Sequence, residues 1–425
     1  MNREIEVWAN WWSLGKASLM GILRAEETRG KEVFSFEYDR SWLGRGLATQ
    51  LDPELQFLEG PQYLDAARRP NFGLFLDSSP DRWGRVLMQR REAVFAREQS
   101  RREKRLSELD YLLGVHDAQR LGALRFREIG RKNEWLSDDP SMGIPPWASL
   151  RELERASWEL QQADRGTGTK IANWLSLLIA PGSSLGGARP KAGVVDEFGY
   201  LWIAKFPGRN DRRDVAAWEI VAHRLARKAG VSMADARLKN FGNSNSTFLT
   251  RRFDRVVENG IRKRVHFASA MTLLGYNDGD GSESGVSYLE LAEWLIRHGA
   301  LPDEDLPQLW KRIVFSIAIR NTDDHLRNHG FLLTEKGWRL SPAYDINPDP
   351  DGRGLSLNVS ETDNSLSFDL ALKVATYFRL SALDATTVVK HVRKAVADWR
   401  EEADHFNIRK SEQDRMAAAF ERHED

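Results

Sequence analysis

The strongest constraint on this chain is a polar stretch of ten residues, Asn321-Thr-Asp-Asp-His-Leu-Arg-Asn-His-Gly330, set between apolar segments. Before it, Leu306 to Arg320 repeats apolar residues at helical spacing. After it, Phe331-Leu-Leu333 and Trp338-Arg-Leu340 flank the turn Thr334-Glu-Lys-Gly337 and read as a β-hairpin. The hairpin returns the chain, at Ser341-Pro-Ala-Tyr-Asp345, to the start of the polar stretch, so Asp323, Asn328 and Asp345 are expected to converge. The fold must end a helix in a loop rich in carboxylates and amides, then close a hairpin over it.

These residue types suit phosphoryl transfer, which needs a carboxylate for the attacking hydroxyl, oxygen ligands for magnesium and a cation on the phosphates. Asp323 and Asn328 stand five apart, the spacing of the catalytic Asp and metal-binding Asn in protein kinases, and Asp345 follows where kinases place a metal-binding Asp. Lys205, closing the strand Tyr200 to Phe206, is the candidate cation, and Glu219 on the next helix is its candidate partner. Upstream lies a glycine-rich loop, Pro181-Gly-Ser-Ser-Leu-Gly-Gly-Ala-Arg-Pro-Lys191, where Ser183 and Ser184 serve either turn formation or phosphate contact. Each feature alone is commonplace, because helix-ending loops attract Asp and Asn for backbone reasons. The order of all of them along one chain is what points to a kinase. His325 and His329 are expected to brace the loop by hydrogen bonds.

Other chemistries find little support. Gly187 is followed by Ala188 and Arg189 rather than Lys and Ser or Thr, so the loop is not a Walker A motif. Gly166-Thr-Gly168 lacks the third glycine of a dinucleotide fingerprint, and the histidines lack zinc spacing. Cysteine is absent, which excludes disulfides and thiol nucleophiles. Lys plus Arg and Asp plus Glu are equal at 62 each, which denies the chain the overall positive field of a dedicated nucleic-acid binder. No stretch has the length of a membrane span and the start lacks a signal-peptide pattern, so a cytoplasmic protein with no membrane association is expected.

A polar segment rich in Gly, Pro, Ser and Asp between about Gly130 and Pro146 reads as a linker. The expected divisions are an N-terminal subdomain over 1–130, a β-rich nucleotide-binding part over 147–255, and a mainly helical part over 256–425. An amphipathic helix is expected from Asp214 to Ala229 with Gly230 as its stop, and further helices over Tyr288 to His298, Thr386 to Phe406 and Ser411 to Glu421.

Several blocks resemble the HipA toxin family, bacterial serine/threonine kinases of type II toxin-antitoxin pairs. Ser184-Leu-Gly-Gly-Ala-Arg-Pro-Lys191 is similar to the family's Ser-x-x-Gly-Ala-x-x-Lys loop, and Leu201 to Pro207 to its lysine-bearing strand. Asn321 to Asn328 resembles its Asn-Thr-Asp-x-His-x-x-Asn catalytic loop, and Pro342-Ala-Tyr-Asp345 its metal site. Phe72 to Arg85 and Asp117 to Phe126 look like its N-terminal signatures. The sequence departs from the family pattern at Arg251, where an acidic residue is common, and at Arg189-Pro190, where Gln-Glu is common.

The resemblance implies an α+β, protein-kinase-like fold with a β-rich N-terminal lobe and a mainly helical C-terminal lobe, binding ATP and Mg2+. It implies Asp323 as catalytic base, Asn328 and Asp345 as magnesium ligands and Lys205 as phosphate contact. Gly186 and Gly187 would cradle the nucleotide, Arg251 to Phe253 would lie near the adenine, and Ser184, or its neighbour Ser183, would be autophosphorylated. It further implies a small helix-turn-helix antitoxin as partner, DNA bound mainly through that antitoxin, and a protein substrate such as an aminoacyl-tRNA synthetase. Two alternatives are a kinase-shaped corepressor without catalysis and a kinase for a small molecule.

Overall fold

The structure, a computed structural model, describes residues 3–28, 30–45, 49–131, 134–140, 143–162, 175, 178, 187–242 and 245–421. The chain forms two compact units, Met1–Arg209 with Arg252–Ala268, and Asn210–Arg251 with Ser269–Asp425.

The first unit is built on alternation. In β1 (Arg3–Ala9), Ile5, Val7 and Ala9 are buried while Glu4 and Glu6 face outward, the period of a strand with one covered face. It pairs antiparallel with β2 (Ser18–Thr28), which pairs with β3 (Lys31–Tyr38); β4 (Gln62–Tyr63) and β5 (Leu124–Glu128) complete the order β4-β3-β2-β1-β5. Gly21 in β2 is required by close approach, since a Cβ there would stand 2.2 Å from the Glu37 carbonyl oxygen. Aromatic rings fill the covered face: Phe36 lies 5.6 Å from Phe75, and Phe75 6.2 Å from Phe126. The Gly130 to Pro146 segment is tied to this sheet. Trp135 packs edge-on to Trp8, and the Leu136 N–H donates to the Phe126 carbonyl.

Also in this unit is the hairpin of β6 (Lys191–Val195) and β7 (Leu201–Lys205). Its turn is set by Asp196, whose carboxylate accepts from the Phe198 and Tyr200 N–H groups and from Trp202 Nε1, with Gly199 in the left-handed region. A second hairpin, β10 (Arg255–Glu258) with β11 (Ile261–Arg264), supplies charge. Asp254, immediately before it, is fully buried between Arg252 and Arg255 and accepts the Gly122 N–H.

The second unit is mainly helical. Helix Val215–Lys228 starts at an Asp214 cap and buries Trp218, Val221 and Leu225; the turn after it uses Gly230 at positive φ. Trp218 packs 6.1 Å from Trp399 and 5.8 Å from Phe420. The hairpin of β8 (Ala236–Lys239) and β9 (Thr247–Arg251) follows, and the chain re-enters this unit at Ser269, the last residue of the short strand β12 (His266–Ser269). Helix Tyr288–His298 has the expected bounds, secured by a Ser287–Glu290 capping box. Helix Pro302–Ala318 opens with Pro at its first turn followed by Asp303, Glu304 and Asp305, and buries Leu306, Trp310, Ile313 and Phe315. The hairpin β13 (Gly330–Thr334) with β14 (Gly337–Leu340) stands where the sequence placed it. The expected helix from Thr386 to Phe406 is two helices, Ala382–Ala397 and Trp399–His405, and Lys410–Phe420 ends the described chain.

Burial raises the Asp254 pKa, but the two guanidinium groups and the Gly122 N–H overcome it and bring it down to about 2. A carboxylate whose folded pKa is depressed stabilises the fold above its unfolded value of roughly 3.9 and loses that contribution as pH falls towards the folded one. Asp254→Ala should cost about 3–5 kcal/mol by leaving two buried arginines without their counter-ion, read as a lowered urea midpoint at pH 7 with a smaller loss near pH 2.

Candidate active site

The site begins where helix Pro302–Ala318 stops. Arg320 adopts φ 51, and the Arg320 and Asn321 N–H groups donate back to the Ile317 and Ser316 carbonyls, closing a Schellman motif without glycine. That turn throws Asn321 and Thr322 across the helix end. Asn321 Nδ2 donates to Ser316 Oγ, while its Oδ1 accepts the Asn347 N–H at 3.1 Å. Thr322 Oγ1 donates to Asp349 Oδ2, and the Thr322 carbonyl accepts from Ser356 Oγ. The segment carrying Asp345 is thereby laid against the start of the polar stretch.

Within the stretch, backbone hydrogen bonds set the turns. The His325 N–H donates to the Asp323 carbonyl and the Asn328 N–H to the His325 carbonyl, giving the short 3-10 turn Leu326–Asn328. Asn328 is buried. Its Nδ2 donates to the Asp323 carbonyl at 2.9 Å, which fixes the amide, and its Oδ1 has no hydrogen-bond partner among the described residues. A buried carbonyl oxygen without a partner costs free energy unless something outside the protein supplies one.

Asp323 stands at the surface as a residue, yet its carboxyl is partly screened from water. That desolvation raises its pKa, against the lowering by His325 and Arg327 and with further raising by Asp345 and Asp324. The mutual repulsion shows Asp345 within electrostatic reach of Asp323, the convergence expected from the hairpin. Asp345 itself adopts φ 57, a conformation Asp tolerates better than most residues, and Asn347 Nδ2 lies 3.4 Å from its Oδ1. Arg327 pairs with Asp278, and its carbonyl accepts from Tyr344 OH, so the middle of the loop is held from two sides.

Beneath the surface carboxylate lies one that sequence reasoning gave no role. Asp324 is buried and accepts from Tyr288 OH at 2.7 Å and Ser316 Oγ at 3.3 Å, with His329 Nε2 at 3.1 Å from its Oδ1. Burial works to raise its pKa, but the His329 charge and the bonds from His329 and Tyr288 outweigh that and hold it below the usual range. His329 thus braces the loop. Buried Arg312 donates to the Ser341 carbonyl, and burial, partly offset by Asp324, Tyr344 and Asp305, lowers its pKa to about 10. Tyr288 and Arg312 lie far from Asp324 in the sequence, and no local pattern could have joined them.

The remaining expected residues are distributed as follows. Lys205 ends β7 in the first unit, opposite Lys191 in the register, and is 6% exposed, unlike an ordinary edge-strand lysine. Glu219 in the second unit is likewise buried at 4%. Gly187 is at φ 25 and its carbonyl accepts from Lys191 Nζ, which also pairs with Asp81 at 2.8 Å. Ser183, Ser184 and Gly186 lie outside the described residues. Arg251, at the end of β9 in the second unit, pairs with Asp235 at 2.9 Å and donates its N–H to the Asp235 carbonyl. Phe253, in the first unit, packs 6.1 Å from Phe267.

Comparison with known proteins bears on this arrangement. The family model of the HipA-like C-terminal domain matches residues 183–401. A putative kinase of Haemophilus influenzae is 24% identical over 188 residues, covering 40% of this chain and 54% of that protein, so the chain spans about half the length of that curated relative. The solved complex of HipA, HipB and operator DNA from the Shewanella oneidensis toxin-antitoxin system contains a chain that superimposes with a TM-score of 0.64. The two are 16% identical, and the match covers 98% of this chain and 94% of that one. At that identity the likeness establishes the fold, α+β with a β-rich N-terminal region and a helical C-terminal region.

The Tyr288–Asp324 bond tests the support beneath the loop. Tyr288→Phe removes one charge-assisted hydrogen bond from a buried carboxylate and should cost about 1.5–3 kcal/mol, read from the urea midpoint, with the far-UV spectrum unchanged.

Proposed function

Because the chain belongs to the HipA family, we propose that it is a serine/threonine-protein kinase that transfers the γ-phosphoryl group of ATP to a protein hydroxyl. The observation that carries this reading is the buried Asn328 Oδ1, fixed by the bond from its own amide to Asp323 and left without a partner among the described residues. In this role Asp323 orients the acceptor hydroxyl and takes its proton, for which a carboxyl with a raised pKa is the better base. Asn328 and Asp345 would hold Mg2+. They are hard oxygen donors, and magnesium takes few protein ligands beside water and phosphate. Magnesium, when bound, supplies charge neutralisation on the transferred phosphoryl group.

Lys205 is assigned to the ATP phosphates, with Glu219 as its positioning partner. Arg251 and Phe253 are assigned to the adenine side, and Ser184, Gly186 and Gly187 to the loop over the nucleotide. Phosphorylation of Ser184, or of Ser183, would add up to about two negative charges where ATP phosphates must sit and would switch the enzyme off. The proposed partner is a small helix-turn-helix antitoxin, in line with the Shewanella HipA found with HipB and operator DNA; DNA would be met mainly through it. An aminoacyl-tRNA synthetase is the proposed substrate. The proposed divisions are 1–130, 147–255 and 256–425, and the proposed location is cytoplasmic; among the described residues no helix is long and apolar enough to cross a membrane.

Asp323→Asn should reduce label transfer from γ-labelled ATP to extract proteins about a hundred- to ten-thousand-fold. Transfer by the wild type to metabolites alone would replace this reading with a small-molecule kinase, and no transfer at all would favour a corepressor. Since the base must be ionised, kcat/KM should fall as pH drops through the raised Asp323 pKa. The acid limb is expected above the ordinary aspartate value of about 3.9. Ser184→Ala incubated with magnesium and ATP should lose self-labelling. Full labelling that maps outside the loop would sink the proposed switch.

A further inference from the structure

The first unit contains a cavity of about 490 Å3 that the kinase reading does not use. Its walls are the Asn10–Trp12 segment after β1, the β10–β11 hairpin and the turn at Asp117. Arg125, Arg255, Arg262, Lys263 and Arg264 line it against only Asp117 and Asp138. The few carboxylates are already committed. Asp117 accepts from Arg125 at 2.5 Å and from Arg264 at 2.7 Å, Asp254 is shared by Arg252 and Arg255, and Lys263 pairs with Glu258 at the rim.

Arg262 makes no ion pair among the described residues; its Nε donates to the Gly199 carbonyl. Arg264 Nη1 is buried and has no hydrogen-bond partner among them. Backbone carbonyls of Arg120 and Gly122 take further N–H groups of Arg255, which fixes guanidinium positions but cancels no charge. Burial pushes the Arg255 and Arg264 pKa values down and the neighbouring arginines add to it, against raising by Asp254 and Asp117. A bound anion would relieve that cost.

One wall is aromatic. Trp11 is buried against Trp42 and His266, whereas Trp12 is 44% exposed. A tryptophan face beside guanidinium groups with N–H donors to spare can stack a base while holding its phosphate, and the volume lies in the range of a small-ligand site. We propose that this cavity binds a nucleoside phosphate, with the base on Trp12 and the phosphate on Arg262 and Arg264, drawn either from free nucleotide or from the end of a single-stranded nucleic acid. The site belongs wholly to the first unit and stands whether or not the kinase reading does.

The test uses the full chain labelled with 5-fluorotryptophan, the Trp12 fluorine resonance being assigned by its loss in Trp12→Phe. Uridine 5′-monophosphate and a 5′-phosphorylated trinucleotide should shift that resonance saturably, and uridine should not. Arg262→Glu with Lys263→Glu, or Arg262→Gln as a milder change, should weaken the shift about tenfold or more while leaving the circular dichroism spectrum and ATP dependence of phosphoryl transfer unaltered. Trinucleotide binding much tighter than mononucleotide identifies a nucleic-acid end as the source, and equal binding identifies free nucleotide. The proposal falls if neither probe shifts Trp12 at millimolar concentration, if the charge reversal leaves binding intact, or if inorganic phosphate or hexaglutamate shifts Trp12 equally well.

Discussion

The loop from Asn321 to Gly330 depends on one buried carboxylate. Asp324 sits in a place where an unsupported charge would cost several kcal/mol, and it is accepted there because Tyr288, Ser316 and His329 all converge on it. Its burial fixes the backbone on either side. Asp323, one residue earlier, is thereby presented at the surface, and Asn328, four later, is held with its amide on the Asp323 carbonyl. Two adjacent aspartates thus sit in opposite settings, one buried and one at the surface, and their pKa values move in opposite directions. Environment, not residue type, sets them apart.

Close by, the same economy governs Asp345. The chain reaches it through β13 and β14, but the hairpin ends at Leu340 and does not itself hold Asp345. The position is settled by Asn321 Oδ1 on the Asn347 N–H and by Thr322 on Asp349, contacts that begin in the non-glycine Schellman turn at Arg320. A left-handed Arg320 and a left-handed Asp345 each carry backbone strain, of order 1 kcal/mol. Such strain persists where surrounding bonds over-determine the geometry, and it gathers at functional sites.

The first unit shows what overall composition conceals. Lys plus Arg balance Asp plus Glu over the chain, yet around Asp117 and Asp254 arginines exceed carboxylates in a small buried volume. Those arginines come from β5, β10 and β11 and from the residues beside them. Only pairing of distant strands brings them together, and a charge count cannot anticipate it.

Periodicity made the helix Tyr288–His298 and the hairpin after the polar stretch legible, because each is a short-range pattern with its own cap or turn residues. It overran where local signals compete: the helix expected to Arg320 stops at Ala318, since the terminal turn winds left-handed, and the long helix expected from Thr386 breaks at Asp398. Asp323, Asn328 and Asp345, their order after Lys205, and the family resemblance were legible from the linear chain, because these are matters of residue type and spacing. Packing in three dimensions settles which of two neighbouring aspartates is buried, that Asn328 Oδ1 has no partner among the described residues, and that scattered arginines line one cavity. Each of these depends on groups tens of residues apart meeting where water is excluded, and desolvation has no signature in a linear chain.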